Sequence, residues 1–157
     1  MKDTPKETTP LDPSQKRPSR PPKVIKPEDG SLVLVVDDSI DSLTAISLYL
    51  QQNGYRVATA TNGQEAITVA GLTKPEIIVM DLAMPGMDGL ESVRQIRQDE
   101  RLKDIPVIAL TAFSTEGFRR AAHDTGFNGY LTKPVDFSRL HDLIGRLIAL
   151  ARSARKS

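Results

Sequence analysis

Five short apolar segments, separated by amphipathic stretches, are the feature of this sequence that most restricts its fold. They lie close to residues 32–36, 55–60, 76–80, 105–110 and 128–131. Segments that are apolar along most of their length are typical of strands in a parallel sheet that is covered on both faces. Alternating strands and helices favour right-handed crossovers. The sequence therefore predicts an α/β fold: a doubly wound, five-stranded parallel sheet, (βα)5, with helices on both faces.

Residues typical of helix ends flank the amphipathic stretches. Ser39 is a suitable N-cap, and Asn53-Gly54 is a typical stop signal. The apolar positions expected on one face of the first helix are Leu43, Ile46, Leu48 and Leu50. Further helices are expected at about residues 62–72, from 88 onwards, 114–125 and 137–151.

The two ends of the chain differ in composition from this repeating region. Seven of the eleven prolines lie in residues 1–30, where few side chains could enter a core. Such a segment cannot bury enough apolar surface to offset its ordering entropy, so we expect a disordered Pro-rich tail. Residues 31–151 are expected to form one domain, and residues 152–157, including Arg152 and Arg155, a solvated basic C-terminal tail.

Composition argues against several classes of protein. No apolar stretch is long enough for a membrane span or a signal peptide, and there is no Cys for disulfides or thiolate metal sites. We therefore expect a cytoplasmic protein. With 21 Lys and Arg against 20 Asp and Glu, neither nucleic acid nor a membrane is expected as a partner.

Polar residues stand where the apolar segments end. Asp37 and Asp38 follow the first segment, Asp81 the third, Thr111 the fourth and Lys133 comes shortly after the fifth. In open α/β sheets, ligands bind outside the carboxyl ends of the strands. We therefore expect these five side chains to meet on one rim.

Three carboxylates in one pocket repel each other unless a cation lies among them, and Mg²⁺ prefers oxygen ligands. One carboxylate could then attack phosphorus, while a hydroxyl and a lysine stabilise the phosphoryl oxygens. Each residue in isolation also has a structural explanation as a helix cap, a strand end or a surface charge. The set of five makes the prediction specific.

The motifs VVDDS, VMDLAMPGMDG, ALTAF and GYLTKP, in this order, resemble the receiver domain of bacterial response regulators over about Leu32 to Ala151. The resemblance implies the strand order 2-1-3-4-5 and a role in two-component signalling, like that of a chemotaxis-type single-domain receiver. It implies that Asp81 is the phosphoacceptor. Asp38 would bind Mg²⁺ directly, Asp37 largely through water, and the backbone carbonyl of Ala83 would complete the protein ligands.

The resemblance also assigns roles to residues of the last two strands. Lys133 would pair with the phosphoryl group, with a cis bond to Pro134. Thr111 and Tyr130 would form the conformational switch. Ala83 and Phe113, which flank the site, suggest slow or moderate autodephosphorylation.

The implied partners are a histidine kinase or histidine phosphotransfer protein and an unidentified downstream protein. We expect a phosphoacceptor with self-catalysed phosphorylation and dephosphorylation, not an enzyme, and a monomer or weak phosphorylation-linked dimer. No output domain would fit after Ala151, so the chain could act alone, in a phosphorelay, or as a receiver cut from a hybrid kinase.

Other functions stay open at this point. A haloacid-dehalogenase-like phosphohydrolase also uses an Asp nucleophile and Mg²⁺, but its Asp-x-Asp signature is not matched by Asp37-Asp38-Ser39. A nucleotide or flavin site would need a Gly-rich loop after Val36, which is absent. His123 and His141 are expected to be solvated.

Overall fold

The computed structural model describes residues 30–82, 89–112 and 115–156 of the chain. The strands are β1 (Leu32–Val36), β2 (Arg56–Ala60), β3 (Ile77–Asp81), β4 (Val107–Thr111) and β5 (Gly129–Thr132). The helices are α1 (Ile40–Gln52), α2 (Gly63–Thr73), α3 (Gly89–Gln98), α4 (Glu116–Thr125) and α5 (Phe137–Lys156). These elements follow the predicted order, and apart from the C-terminal end of α5 their boundaries lie close to the predicted ones.

The five strands form one parallel sheet in the order β2-β1-β3-β4-β5. This confirms the predicted α/β fold and its strand order. β1 pairs with β2 on one side and with β3 on the other. After β1 the chain therefore forms one edge of the sheet with β2, and then crosses back over β1 to form the other side of the sheet, beginning with β3. A ligand site is expected at this change of direction, outside the carboxyl ends of β1 and β3.

Two apolar cores lie on the two faces of the sheet. Because successive strand residues point to opposite faces, Leu34 and Val36 belong to one core, and Val33 and Val35 to the other. The first core contains buried residues of α2, α3 and α4, and the second contains residues of α1 and α5. β3 and β4 are buried over all five residues, which explains why their sequences are apolar up to the last position.

Helix α1 begins at the predicted N-cap, but fewer of its apolar residues are buried than predicted. The Ser39 side chain accepts a hydrogen bond from the backbone N–H of Ser42. Leu43, Ile46 and Leu50 are buried, but Leu48 is 53% exposed. Leu48 is two positions from both Ile46 and Leu50, which turns it to the opposite side of a helix with 3.6 residues per turn.

The C-terminal end of the chain differs from the expectation. Helix α5 continues past Ala151 to Lys156. The Arg152 guanidinium donates hydrogen bonds of 2.9 and 2.7 Å to the Glu76 carboxylate and one of 3.0 Å to Ser31 Oγ. Arg152 is therefore an anchored residue of α5 and not part of a solvated tail.

The two histidines also differ from each other. The His123 side chain is 84% exposed, as expected. The His141 side chain is only 18% exposed, and its ring packs edge-on against Tyr49 and Tyr55, with centroids 6.3 and 6.0 Å away. The expectation of a solvated His141 was wrong, because the aromatic residues that cover it come from α1 and from the turn before β2.

No helix in the described part of the chain combines the length and the apolar character that a membrane span requires.

Candidate functional site

Adjacent strands bring the predicted site residues to one rim of the sheet. Asp81 and Thr111 are the last residues of β3 and β4, and Asp37 follows β1 directly. The backbone N–H of Lys133 donates a 2.8 Å hydrogen bond to the carbonyl of Thr111, which extends the β4–β5 pairing by one step. The strand ends therefore place Asp37, Asp81, Thr111 and Lys133 side by side, as the sequence predicts.

The three carboxylates form one cluster. Asp37, Asp38 and Asp81 each offer an oxygen atom, and these atoms all lie within 4.8 Å of one another. Asp37 and Asp81 are buried, whereas Asp38 is exposed. The Asp37 Oδ1 atom accepts a 2.9 Å hydrogen bond from the backbone N–H of Ser39, which fixes the direction of its carboxylate.

One buried carboxylate oxygen of the cluster lacks a hydrogen bond from the described residues. Asp37 Oδ2 is buried and accepts no hydrogen bond from the described residues. Burial raises the pKa of Asp37 above its ordinary value, an effect opposed by the hydrogen bond from Ser39 and by the charge of Lys133. The neighbouring charges of Asp81 and Asp38 raise this pKa further. A cation at this position would therefore stabilise the ionised carboxylate.

The donor set fits a hard divalent cation. All three side chains supply oxygen atoms, which Mg²⁺ prefers, and the buried Asp37 Oδ2 lacks a hydrogen-bond donor. The exposure of Asp38 leaves one side of the cluster open, as needed for an ion that keeps several water ligands. Ala83, whose carbonyl is the remaining expected ligand, and Phe113 lie outside the described residues.

Lys133 provides the positive charge of the site. Its Nζ atom donates a 3.1 Å hydrogen bond to Asp81 Oδ2 and lies 3.8 Å from Asp37 Oδ2. The lysine side chain is 31% exposed, so its ammonium group reaches the buried carboxylates from the open side of the rim. The Lys133–Pro134 peptide bond is cis, as expected.

Thr111 and Tyr130 lie on the same side of the sheet. Thr111 is fully buried, and the strand register pairs it with Thr132. The same register pairs Ala109 with Tyr130, so the half-buried Tyr130 projects toward the face that α4 covers. Two residues of α4 contact its ring: Phe118, with centroids 6.4 Å apart, and Arg119, whose Cζ atom lies 5.1 Å from the ring centroid.

Arg119 was not among the residues that the sequence singles out. It lies on α4, in a segment with several charged residues, and no local motif marks it. Only the packing of α4 against β5 shows that its guanidinium covers an aromatic ring.

This arrangement can bind a cation and support attack of a carboxylate on phosphorus. The cluster offers oxygen atoms suited to a cation, the lysine offers a positive charge for phosphoryl oxygens, and the nearby threonine has a hydroxyl group.

Comparisons with known proteins point to one family. The response regulator receiver domain family matches residues 33–145. Protein PilH of Pseudomonas aeruginosa is 34% identical over 117 residues, which cover 74% of this chain and 97% of that protein. The structure of the chemotaxis response regulator CheY4 of Vibrio cholerae superposes with a TM-score of 0.71 at 33% identity, covering 75% of this chain and 98% of the other.

A further solved structure is the receiver domain of a sensor histidine kinase from Pseudomonas aeruginosa PAO1, with a magnesium ion coordinated in the active site cleft. It has a TM-score of 0.71 and 34% identity, and covers 76% of this chain and 98% of that domain. From the family match, the sheet topology and the cluster of strand-end residues together, we conclude that this chain belongs to the response regulator receiver domain family of two-component signalling.

Proposed function

We propose that this receiver accepts a phosphoryl group on Asp81 in a Mg²⁺-dependent reaction and thereby changes its binding to partner proteins. The observation that carries the proposal is the position of the Asp81 carboxylate. It ends a fully buried strand, lies in a cluster of three carboxylates and has the ammonium group of Lys133 at 3.1 Å.

The surroundings of the three carboxylates favour Asp81 as the nucleophile. One oxygen of Asp37 is held by the Ser39 N–H. Asp38 is exposed and suited to a hydrated ion. Asp81 pairs directly with Lys133, and its strand neighbours the one that ends in Thr111, so it is nearest to the groups that would stabilise phosphoryl oxygens.

Asp37, Asp38 and Asp81, with the carbonyl of Ala83, would hold Mg²⁺, which neutralises carboxylate charge and orients phosphoryl oxygens when it is bound. A carboxylate oxygen of Asp81 forms the new O–P bond while the N–P bond to the donor histidine breaks, and the imidazole leaves with the electron pair. Lys133 Nζ balances the charge on the phosphoryl oxygens. The Thr111 hydroxyl donates a hydrogen bond to them, and Tyr130 follows by moving toward Thr111.

The donor in this proposal is a histidine kinase or a histidine phosphotransfer protein. The similar receiver domain of a sensor histidine kinase supports a donor of this class. The output is a change in affinity for a downstream protein, and the receiver itself is a monomer or a weak dimer linked to phosphorylation. The protein acts as a stoichiometric acceptor that catalyses its own phosphorylation and dephosphorylation. A haloacid-dehalogenase-like activity is not favoured, because the family match is to receivers.

The proposal is tested by incubating the full chain with acetyl phosphate and Mg²⁺ and measuring its intact mass. We expect one phosphoryl adduct in the wild-type protein, and none when Mg²⁺ is chelated or in Asp81→Asn. Asp124→Asn, which removes a 73% exposed carboxylate on α4, is the matched control and should form the adduct normally. Continuous hydrolysis of a generic phosphate ester, or an adduct that persists in Asp81→Asn, would contradict the proposal.

A further inference from the structure

The guanidinium group of Arg119 covers the ring of Tyr130. Its Cζ atom lies 5.1 Å from the ring centroid, within the range of a cation–π contact. The neighbouring Phe118 meets the same ring edge-on, at a centroid distance of 6.4 Å and an interplanar angle of 64°. Two consecutive residues of α4 therefore hold the Tyr130 ring against that helix.

The Arg119 guanidinium forms no ion pair within the part of the chain that the structure describes. No carboxylate of residues 30–82, 89–112 or 115–156 lies within ion-pair distance of it. The next residue, Arg120, differs: it lies 3.8 Å from Glu116, and both side chains are mostly exposed. Arg120 has the same charge on the same helix and does not cover the ring, so it offers a matched control.

The ring that Arg119 holds lies beside the strand that ends in Thr111. The register pairs Tyr130 with Ala109, and the next residues on this face, Thr111 and Thr132, pair with each other. Thr111 is fully buried, and the small Ala109 precedes it on this face. Arg119 holds the Tyr130 ring at 5.1 Å, so a movement of the ring toward Thr111 changes this contact.

We propose that Arg119 is a positioning residue that holds the Tyr130 ring against α4 and so stabilises the unphosphorylated arrangement of the rim. This inference rests on the proposed function, because it takes phosphorylation of Asp81 as the event that draws Tyr130 away. A contact made in only one of two arrangements shifts their populations by its own free energy. A cation–π contact at a partly exposed site changes the ratio of the two populations about two- to five-fold.

The test compares Arg119→Gln with Arg120→Gln in the full chain. In the unphosphorylated protein, nuclear Overhauser contacts between the rings of Phe118 and Tyr130 report whether the ring stays on α4, and Tyr130→Phe assigns the signals. We expect these contacts to weaken in Arg119→Gln and to stay unchanged in Arg120→Gln. The initial rate of adduct formation with acetyl phosphate should rise about two- to five-fold in Arg119→Gln only.

Melting temperatures of both variants within about 5 °C of the wild-type value are the check that neither change disturbs the fold, because the loss of one such contact lowers the melting temperature by only a few degrees. The inference is overturned if Arg119→Gln matches Arg120→Gln in both the ring contacts and the rate while the wild-type protein forms its adduct. A wild-type protein without an adduct refutes the proposed function instead. In that case, the ring contacts of the free protein still decide whether Arg119 holds Tyr130.

Discussion

Lys133 Nζ lies 3.1 Å from Asp81 Oδ2, although 52 residues separate the two in sequence. Strand β4 lies between β3, which ends in Asp81, and β5, which Lys133 follows, so the long lysine stem spans one strand to reach the carboxylate. The same ammonium group lies 3.8 Å from Asp37 Oδ2, so one lysine forms ion pairs with two buried carboxylates.

Replacing Lys133 with methionine keeps an unbranched side chain and removes the charge. We expect adduct formation from acetyl phosphate to slow by about 100-fold or more, because a preorganised charge that stabilises the transition state is lost. The rate is measured from intact mass over time. Lys103→Met, which removes a 45% exposed lysine paired with Glu100, should keep the wild-type rate. A normal rate in Lys133→Met would argue that this lysine does not contact the phosphoryl group.

Binding of Mg²⁺ should stabilise the folded protein, because the carboxylate cluster exists only in the folded state. At a Mg²⁺ concentration of 100 times the dissociation constant, the expected gain is about 2.7 kcal/mol, and a chelator should reverse it. Thermal melts of wild type and Asp38→Asn measure the effect. Asp38→Asn should lose most of this gain, and without metal it should be more stable than wild type, since one of three like charges is removed. Asp124→Asn should respond to Mg²⁺ as wild type does. An undiminished gain in Asp38→Asn would show that the ion binds elsewhere.

The ion pair between Glu76 and Arg152 should make stability depend on pH in the acid range. Hydrogen bonds from Arg152 lower the pKa of Glu76 below its ordinary value near 4.5, against the opposing effect of burial. The stabilisation is therefore complete above the pKa of the unfolded state and is lost as the pH falls through the lowered folded-state pKa.

Chemical denaturation across this pH range measures the free energy of unfolding. We expect Glu76→Gln to lower it by about 1 kcal/mol near neutral pH, and we expect the difference between variant and wild type to shrink in acid. Glu100→Gln, which changes an 85% exposed carboxylate, should show almost no such difference. A loss in Glu76→Gln that is constant over the whole pH range would mean that packing, and not the charge, is responsible.

Gly89 allows α3 to begin directly against the end of β3. A Cβ atom at this position would lie 2.6 Å from Leu82 Cδ2, 3.0 Å from Leu82 Cα and 3.1 Å from the Asp81 carbonyl oxygen. Gly89→Ala should therefore reduce the free energy of unfolding by about 1–3 kcal/mol and also slow phosphorylation, because the backbone of Asp81 must shift.

Gly117 is the control for this change. A Cβ atom there would meet no heavy atom of the described residues within 4 Å, and alanine favours a helix. Gly117→Ala should leave stability unchanged or raise it by about 0.5–1 kcal/mol in the same denaturation experiment. Equal effects of the two substitutions would contradict the close approach at Gly89.

The fold and the residue types of the site could be predicted from the sequence because both depend on local patterns. Apolar segments mark the strands, and the rule that parallel strands end at one rim brings distant side chains together. The contacts of Arg119, His141 and Arg152 depend on how separate elements pack. The partner of Arg152 lies 76 residues away, and no pattern within either segment specifies the pair.

Arg152 joins the C-terminal end of α5 to Ser31 and Glu76, which directly precede β1 and β3. Those two strands carry Asp37 and Asp81 at their far ends. Helix α5 has 20 residues and is therefore about 30 Å long, and it starts at Phe137, close to Lys133. The buried Leu140, Ile144 and Ile148 also hold this helix against the sheet along its length. Helix α5 therefore connects the two ends of the sheet, from the residues that precede β1 and β3 to the rim that carries the site.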